Sequence, residues 1–207
     1  MAWYYEPLEI SELGAGAGLR RPTQPQAGRV TRDSPALAVM TDLTLTAPAT
    51  IRPQAPLSGA NQFMITRGVR LLLAVDDREN VVGVISAADV LGERALRAAI
   101  DRNLRRDELT VADVMTPAEQ VEFVQFDEVE AARVGHILET LRRSGRQHLL
   151  VVDYDDVPTA SPVRPTVQRA MVRGIFSLTQ IARQLGIPVQ PGEVARTFAE
   201  IEGVLGH

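Results

Sequence analysis

The chain carries the same strand-to-helix turn twice. Val81-Val82-Gly83-Val84-Ile85-Ser86-Ala87-Ala88-Asp89-Val90-Leu91 returns as Met171-Val172-Arg173-Gly174-Ile175-Phe176-Ser177-Leu178-Thr179-Gln180-Ile181. Gly83 aligns with Gly174 and Ser86 with Ser177. The apolar run suits a buried strand, and its glycine suits a close backbone approach. Each serine stands where a helix N-cap belongs. A strand that runs into a helix N-terminus leaves free N–H groups at a sheet edge, a natural seat for phosphate.

The surrounding sequence is doubled in the same register. Val39-Met40-Thr41 recurs as Val114-Met115-Thr116. Short strands are predicted at 49–51 and 121–124. Helices are predicted at 57–67 and 129–143; in the second, Val134, Ile137, Leu138 and Leu141 share one face. Gly68 and Gly145 end these helices as C-cap glycines do. Apolar strands follow at 69–75 and 148–152, closed by Asp76 and Asp153. Each half therefore reads strand, helix, strand, strand, helix. One half cannot cover both faces of so small a sheet, whereas two packed together can. The copies differ between their last two strands. Seven positions separate Asp76 from Gly83, but twenty-one separate Asp153 from Gly174. Pro158, Pro162 and Pro165 fall in that insertion, so 154–170 is expected to be an enlarged surface loop.

The flanks differ from the repeats. Residues 1–34 are rich in glycine and proline and read as a partly extended arm. Gly14-Ala15-Gly16-Ala17-Gly18 lacks the strand, helix and βαβ context of a dinucleotide loop. Trp3, Tyr4 and Tyr5 form an aromatic cluster expected to pack on the chain's own domain or on a twin. At the other end, Val194, Phe198, Ile201 and Leu205 mark one apolar face of a helical tail over 188–207.

Composition narrows the chemistry. The chain is 45% hydrophobic with only 4% aromatic residues, which predicts an aliphatic core. Its net charge of −4 gives no bulk attraction to nucleic acid or an anionic membrane. It has no cysteine, and all 22 basic residues are arginine, so thiolate metal sites, cysteine nucleophiles and lysine Schiff bases are excluded. The start lacks the pattern of a signal peptide and no apolar segment approaches bilayer length, so a cytoplasmic location is expected. His136, His148 and His207 lack metal-ligand spacing with a third ligand, and no nucleophile elbow is present. No catalytic residue is assigned, and neither a metal nor an obligatory cofactor is expected. Asp76-Asp77 and Asp153-Tyr154-Asp155-Asp156 read as solvated turns. Arg105, Arg106, Arg142, Arg143 and Arg146 read as solvated faces or as groups facing phosphate across a cleft.

Taken together, these residues resemble the CBS-domain pair, or Bateman module. The family pattern starts near V-M-T, passes G-x-x-x-L-P-V-V-D and closes with G-h-h-S/T-x-x-D, where h is apolar. Val39-Met40-Thr41, Gly68, Leu72, Val75, Asp76, Gly83, Ser86 and Asp89 match in the first copy. Val114-Met115-Thr116, Gly145, Leu149, Val151, Val152, Asp153, Gly174 and Ser177 match in the second. The resemblance covers roughly 35–187 and implies a mixed α/β (α+β) fold of two βαββα repeats, 35–107 and 108–187, about a pseudo-twofold axis. It also implies a homodimer and an adenosine compound, AMP, ADP, ATP or S-adenosylmethionine, bound between the repeats. Ser86 would then hydrogen-bond phosphate and Asp89 accept from ribose. Thr50, Val69, Leu72 and Ile85 would line the adenine slot, and Ser177 with Gln180 would form the second site.

The chain departs from the pattern at Leu73 and Leu150, which stand for proline, and at Gln180, which stands for the ribose-binding aspartate. Of the two clefts, the one built on Ser86 and Asp89 is favoured. Ser-x-x-Asp and Ser-x-x-Gln are also capping patterns, so a ligand role and a cap role both stand. The expected function is a stand-alone regulatory module that binds an adenine nucleotide, signals through dimer packing and acts on an unidentified protein partner. The alternative is a ligand-independent dimerising scaffold with vestigial clefts.

Overall fold

The computed structural model describes residues 30–158 and 166–187. The expected tail helix, the Trp3 cluster and most of the arm lie outside the described residues. In chain order the elements are β1 Thr41–Asp42, β2 Thr50–Ile51, α1 Leu57–Arg67, β3 Leu71–Val75, β4 Val81–Ser86, α2 Ala87–Leu91, α3 Glu93–Arg102, α4 Val111–Val114, β5 Thr116–Pro117, β6 Phe123–Gln125, α5 Phe126–Ala131, α6 Val134–Ser144, β7 His148–Pro158, β8 Thr166–Ser177 and α7 Leu178–Gln184.

Two four-stranded sheets result, ordered β2-β3-β4-β5 and β1-β8-β7-β6. They are the same sheet built twice. β2 runs parallel to β3 as β6 does to β7, and the next two pairings are antiparallel in both sheets. Even the irregularity repeats: the register shifts between Ala74 and Val75 of β3, where Val82 of β4 is the extra residue, and between Val151 and Val152 of β7, where Arg173 of β8 is. Each copy's V-M-T strand crosses to the other copy's sheet. β1 pairs with β8 through Thr41 and Ile175, and β5 pairs with β4 through Thr116 and Val84. The boundary near 107 therefore divides the sequence but not the sheets.

Burial follows from the alternation of each strand. One face of the first sheet meets α1, α2, α3 and α4 over Leu57, Met64, Leu72, Ile85 and Val111, all at most 2% exposed. The second sheet packs likewise over Val134, Leu141, Leu149, Phe176 and Ile181. Leu73, Val75 and Leu150 form a third cluster with Leu71, Val84 and Ile175, which joins the two sheets. Gly68 and Gly145 end α1 and α6 in the left-handed region, with φ 65° and 66°, where glycine has no Cβ penalty.

Two local expectations change. The helix expected over 129–143 is two helices, broken at Ala132. The segment before β1 inserts there: Ala36 N–H donates to the Ala132 carbonyl, Val134 N–H to that of Ser34, and Gly135 N–H to that of Arg32. The expected loop over 154–170 is largely a ribbon, since β7 and β8 stay paired from Asp153–Met171 out to Pro158–Thr166. Val157, Val167 and Tyr154 favour extended backbone, and Pro158 falls at the strand end, where no ladder donor is needed.

Candidate functional site

Two clefts open where the repeats meet, with Leu71 and His148 as a shared wall. The smaller has a volume of about 230 Å³ and contains Ser86 and Asp89. The larger has a volume of about 560 Å³ and contains Val69, Ser177 and Gln180. Only the larger lies within the usual range of roughly 300–1,000 Å³ for small-molecule pockets.

The polar groups of the smaller cleft are already engaged. Ser86 N–H and Oγ–H donate to Asp89 Oδ2 at 2.9 and 2.6 Å, and Asp89 N–H returns a bond to Ser86 Oγ at 3.3 Å. This closed capping box fills the helix start that was expected to hold phosphate. Arg94 Nη1 donates to Asp89 Oδ1 at 3.3 Å and to Thr116 Oγ1 at 2.7 Å. On the opposite wall, Arg146 Nε donates to Glu122 Oε2 at 2.6 Å. Each cationic group here has a carboxylate partner.

The larger cleft has the reverse character. Leu43, Ala47, Pro48, Ala49, Val69, Leu71 and Ile175 provide an apolar wall. Arg67 and Arg70 lie at the end of α1 and the start of β3, and Arg183 lies on α7. Among the described residues, no aspartate or glutamate lines this cleft. Among the described residues, none of these three arginines has an ion-pair partner, and Arg70 Nε is buried without a hydrogen bond. The Arg67 guanidinium stands 5.6 Å from the Phe63 ring centroid. Gln180 Oε1 accepts from Thr41 Oγ1 at 3.0 Å, which ties α7 to β1. The Ser177 side chain makes no capping bond and lines the cleft.

His148 begins β7 between Asp89 on one side and Arg70 on the other. Burial pushes its pKa down to about 4, with help from the Arg70 charge and against the pull of Asp89. The shared wall is therefore neutral at neutral pH.

The structure separates the sequence-derived site residues. Ser86 and Asp89 stand in one cleft, and Val69, Ser177 and Gln180 in the other. Leu72 and Ile85 are fully buried against the helices and face neither cleft. Strand alternation turns them to the sheet face opposite Leu71 and Val84. Thr50 pairs with Leu73 in β2 and lines neither cleft, although its neighbour Ala49 lines the larger. Of the five arginines singled out earlier, only Arg146 lines a cleft. Arg105 pairs with Asp107, Arg106 donates to the Val90 carbonyl, and Arg142 and Arg143 pair with Glu139. Arg67, Arg70 and Arg183 were missed because their convergence depends on packing between copies. Their one sequence signal is proximity to Gly68 and to the Ser177 motif.

Comparison with known proteins adds the following. Residues 39–95 match the family model of the CBS domain. No curated protein matches the sequence. The crystal structure of an uncharacterized conserved protein from Pyrococcus horikoshii superposes with a TM-score of 0.52 at 18% identity, covering 79% of this chain and 100% of that one. The CBS domain pair of protein MJ0100, solved with 5′-methylthioadenosine and S-adenosyl-L-methionine, gives 0.47 at 20% identity over 74% and 96% of the two chains. The CBS-pair protein CBSX2 from Arabidopsis thaliana gives 0.46 at 20% identity over 72% and 92%.

Proposed function

We propose that this chain, whose residues 39–95 match the CBS-domain family model, is a regulatory module of the CBS-pair type that binds an adenosine nucleotide in the larger inter-repeat cleft. One observation carries this reading: a cleft of about 560 Å³ combines an apolar wall with three arginines and, among the described residues, no carboxylate. An aromatic base suits the wall, and phosphate suits the guanidinium groups. Ser177, Thr179 and Gln180 supply hydroxyl and amide groups for the sugar between them. The smaller cleft, with its ion pairs closed, fits the alternative of a vestigial site within a scaffold.

Signalling runs through pairing with a second copy. Leu96 and Ile100, one turn apart on α3, are 61% and 69% exposed, and Ile65 and Leu91 on the neighbouring helices are 65% and 62% exposed. The flanking charges are matched within the chain, Glu93 with Arg97 at 2.9 Å and Arg102 with Asp113 at 2.7 Å. An apolar stripe with balanced borders suits a twofold mate better than a strongly charged partner. Among the described residues, the helices of the second repeat expose no comparable side chain.

Isothermal titration with AMP, ADP and ATP, together with mass spectrometry of the protein denatured after purification, tests the reading. Saturable binding near micromolar affinity, or a co-purified adenine nucleotide, is expected. Absence of both, with dimerisation intact, leaves the scaffold as the correct description.

A further inference from the structure

The charge in the larger cleft specifies more than a nucleotide. We propose that this cleft selects a ligand with at least two linked phosphates, free of bound metal, anchored on Arg70 and flanked by Arg67 and Arg183. The inference rests on the nucleotide reading above and narrows it.

Three cations line one concavity in a chain whose net charge is −4, and none has a carboxylate partner among the described residues. Guanidinium groups left together without an anion repel one another. Arg70 is the most telling, since a buried donor without a partner costs free energy unless a ligand supplies the acceptor. One phosphate monoester carries roughly 1.5 to 2 negative charges at neutral pH, so two linked phosphates match three cations better than one does. A magnesium complex fits less well, because the ion cancels part of the ligand's charge and, among the described residues, no carboxylate lines the cleft to hold it. A sulfonium ligand brings a like charge among the arginines, and uncharged adenosine leaves them unmatched. In the smaller cleft Arg94 and Arg146 are paired with Asp89 and Glu122, so no such demand exists there.

The test is calorimetry at fixed ionic strength with ADP, AMP, adenosine, S-adenosylmethionine and inorganic pyrophosphate. It is run on the full chain and on the variants Arg70→Gln and Arg183→Gln. Arg183 is exposed and the Arg70 side chain has no hydrogen-bond or ion-pair partner to lose among the described residues, so both variants are expected to fold. ADP is expected to bind at least roughly tenfold more tightly than AMP, with adenosine and S-adenosylmethionine weaker still. Arg70→Gln should weaken ADP by about tenfold or more and leave adenosine unchanged. Added magnesium should weaken binding of ADP, and tighter binding with magnesium would overturn the metal-free part of the proposal. Equal affinity for ADP, AMP and adenosine would overturn the charge selection and leave the adenosine module standing. Pyrophosphate binding as tightly as ADP, with no gain from the nucleoside, would keep the charge selection and remove the adenosine reading. No binding by any probe would remove both.

Discussion

The Sδ of Met40 occupies the space above Gly174: a Cβ built on that glycine would lie 2.5 Å from it. Met115 stands over Gly83 in the same manner, its Sδ 2.9 Å from the corresponding point. The methionine of each V-M-T thus packs on the glycine of the other copy's closing motif. Two motifs far apart in sequence are two sides of one contact.

The two glycines should differ in tolerance. At Gly174 all three nearest atoms belong to the Met40 side chain, which can rotate away. At Gly83 the nearest is the Thr116 carbonyl oxygen, 2.6 Å from the added Cβ, and that backbone is fixed in β5. Gly83→Ala should cost about 2–3 kcal/mol and Gly174→Ala about 1 kcal/mol, within the range for overpacked sites. Urea unfolding midpoints of both variants measure this; equal losses would contradict the asymmetry.

The capping box at α2 separates stability from binding. Removal of a side-chain N-cap costs about 1 kcal/mol. Ser86→Ala and Asp89→Ala are therefore expected to lower the melting temperature while ADP affinity in the larger cleft stays within about twofold. A large loss of affinity in Asp89→Ala would move the nucleotide to the smaller cleft.

The succession of elements along the chain and the closing motifs were legible because they rest on short-range patterning: alternating apolar strands, left-handed glycines after helices and serines at helix starts. Helix α1 falls at the residues expected of it, Leu57–Arg67. What the sequence did not disclose depends on other parts of the chain. The break at Ala132 exists because Ser34 and Ala36 bond into the gap. Leu72 and Leu71 are adjacent and equally apolar, yet only Leu71 reaches a cleft, since a strand turns successive side chains to opposite faces. Likewise Ser86 and Ser177 are equivalent in sequence, but only Ser86 has a residue at the third helical position whose side chain closes a box.

His148 should leave a signature in acid. Unfolded, it titrates near 6.5; folded, it stays neutral down to about 4. The unfolded chain therefore binds more protons between these values, so stability is full above this window and falls as pH drops through it. The loss from this residue approaches about 3 kcal/mol by pH 4. Asp42 acts lower down: the hydrogen bond from Arg173 holds its carboxyl at about 2, so its contribution is lost only below its ordinary value of 3.8. Thermal unfolding against pH should show a shallower slope between pH 6.5 and 4 in His148→Gln, with the steeper acid limb unchanged. Identical slopes in both proteins would mean that His148 does not titrate as described.

The stripe on α3 predicts an association state. Leu96→Asp with Ile100→Asp should turn a dimer into a monomer by light scattering after gel filtration. Both side chains are exposed, so the melting temperature of the single chain should change little. A wild-type protein that is monomeric at high concentration would remove this face as the interface.

The reciprocal loan of β1 and β5 bears on how the module fails. Severed near residue 107, the N-terminal piece would keep β1 but have no β8 to lay it against, and it would lose β5, leaving β4 with a bare edge. Neither piece is a smaller working copy of the whole. A chemical denaturant should accordingly dismantle both in a single concerted step, and damage to one half is felt at once in the other.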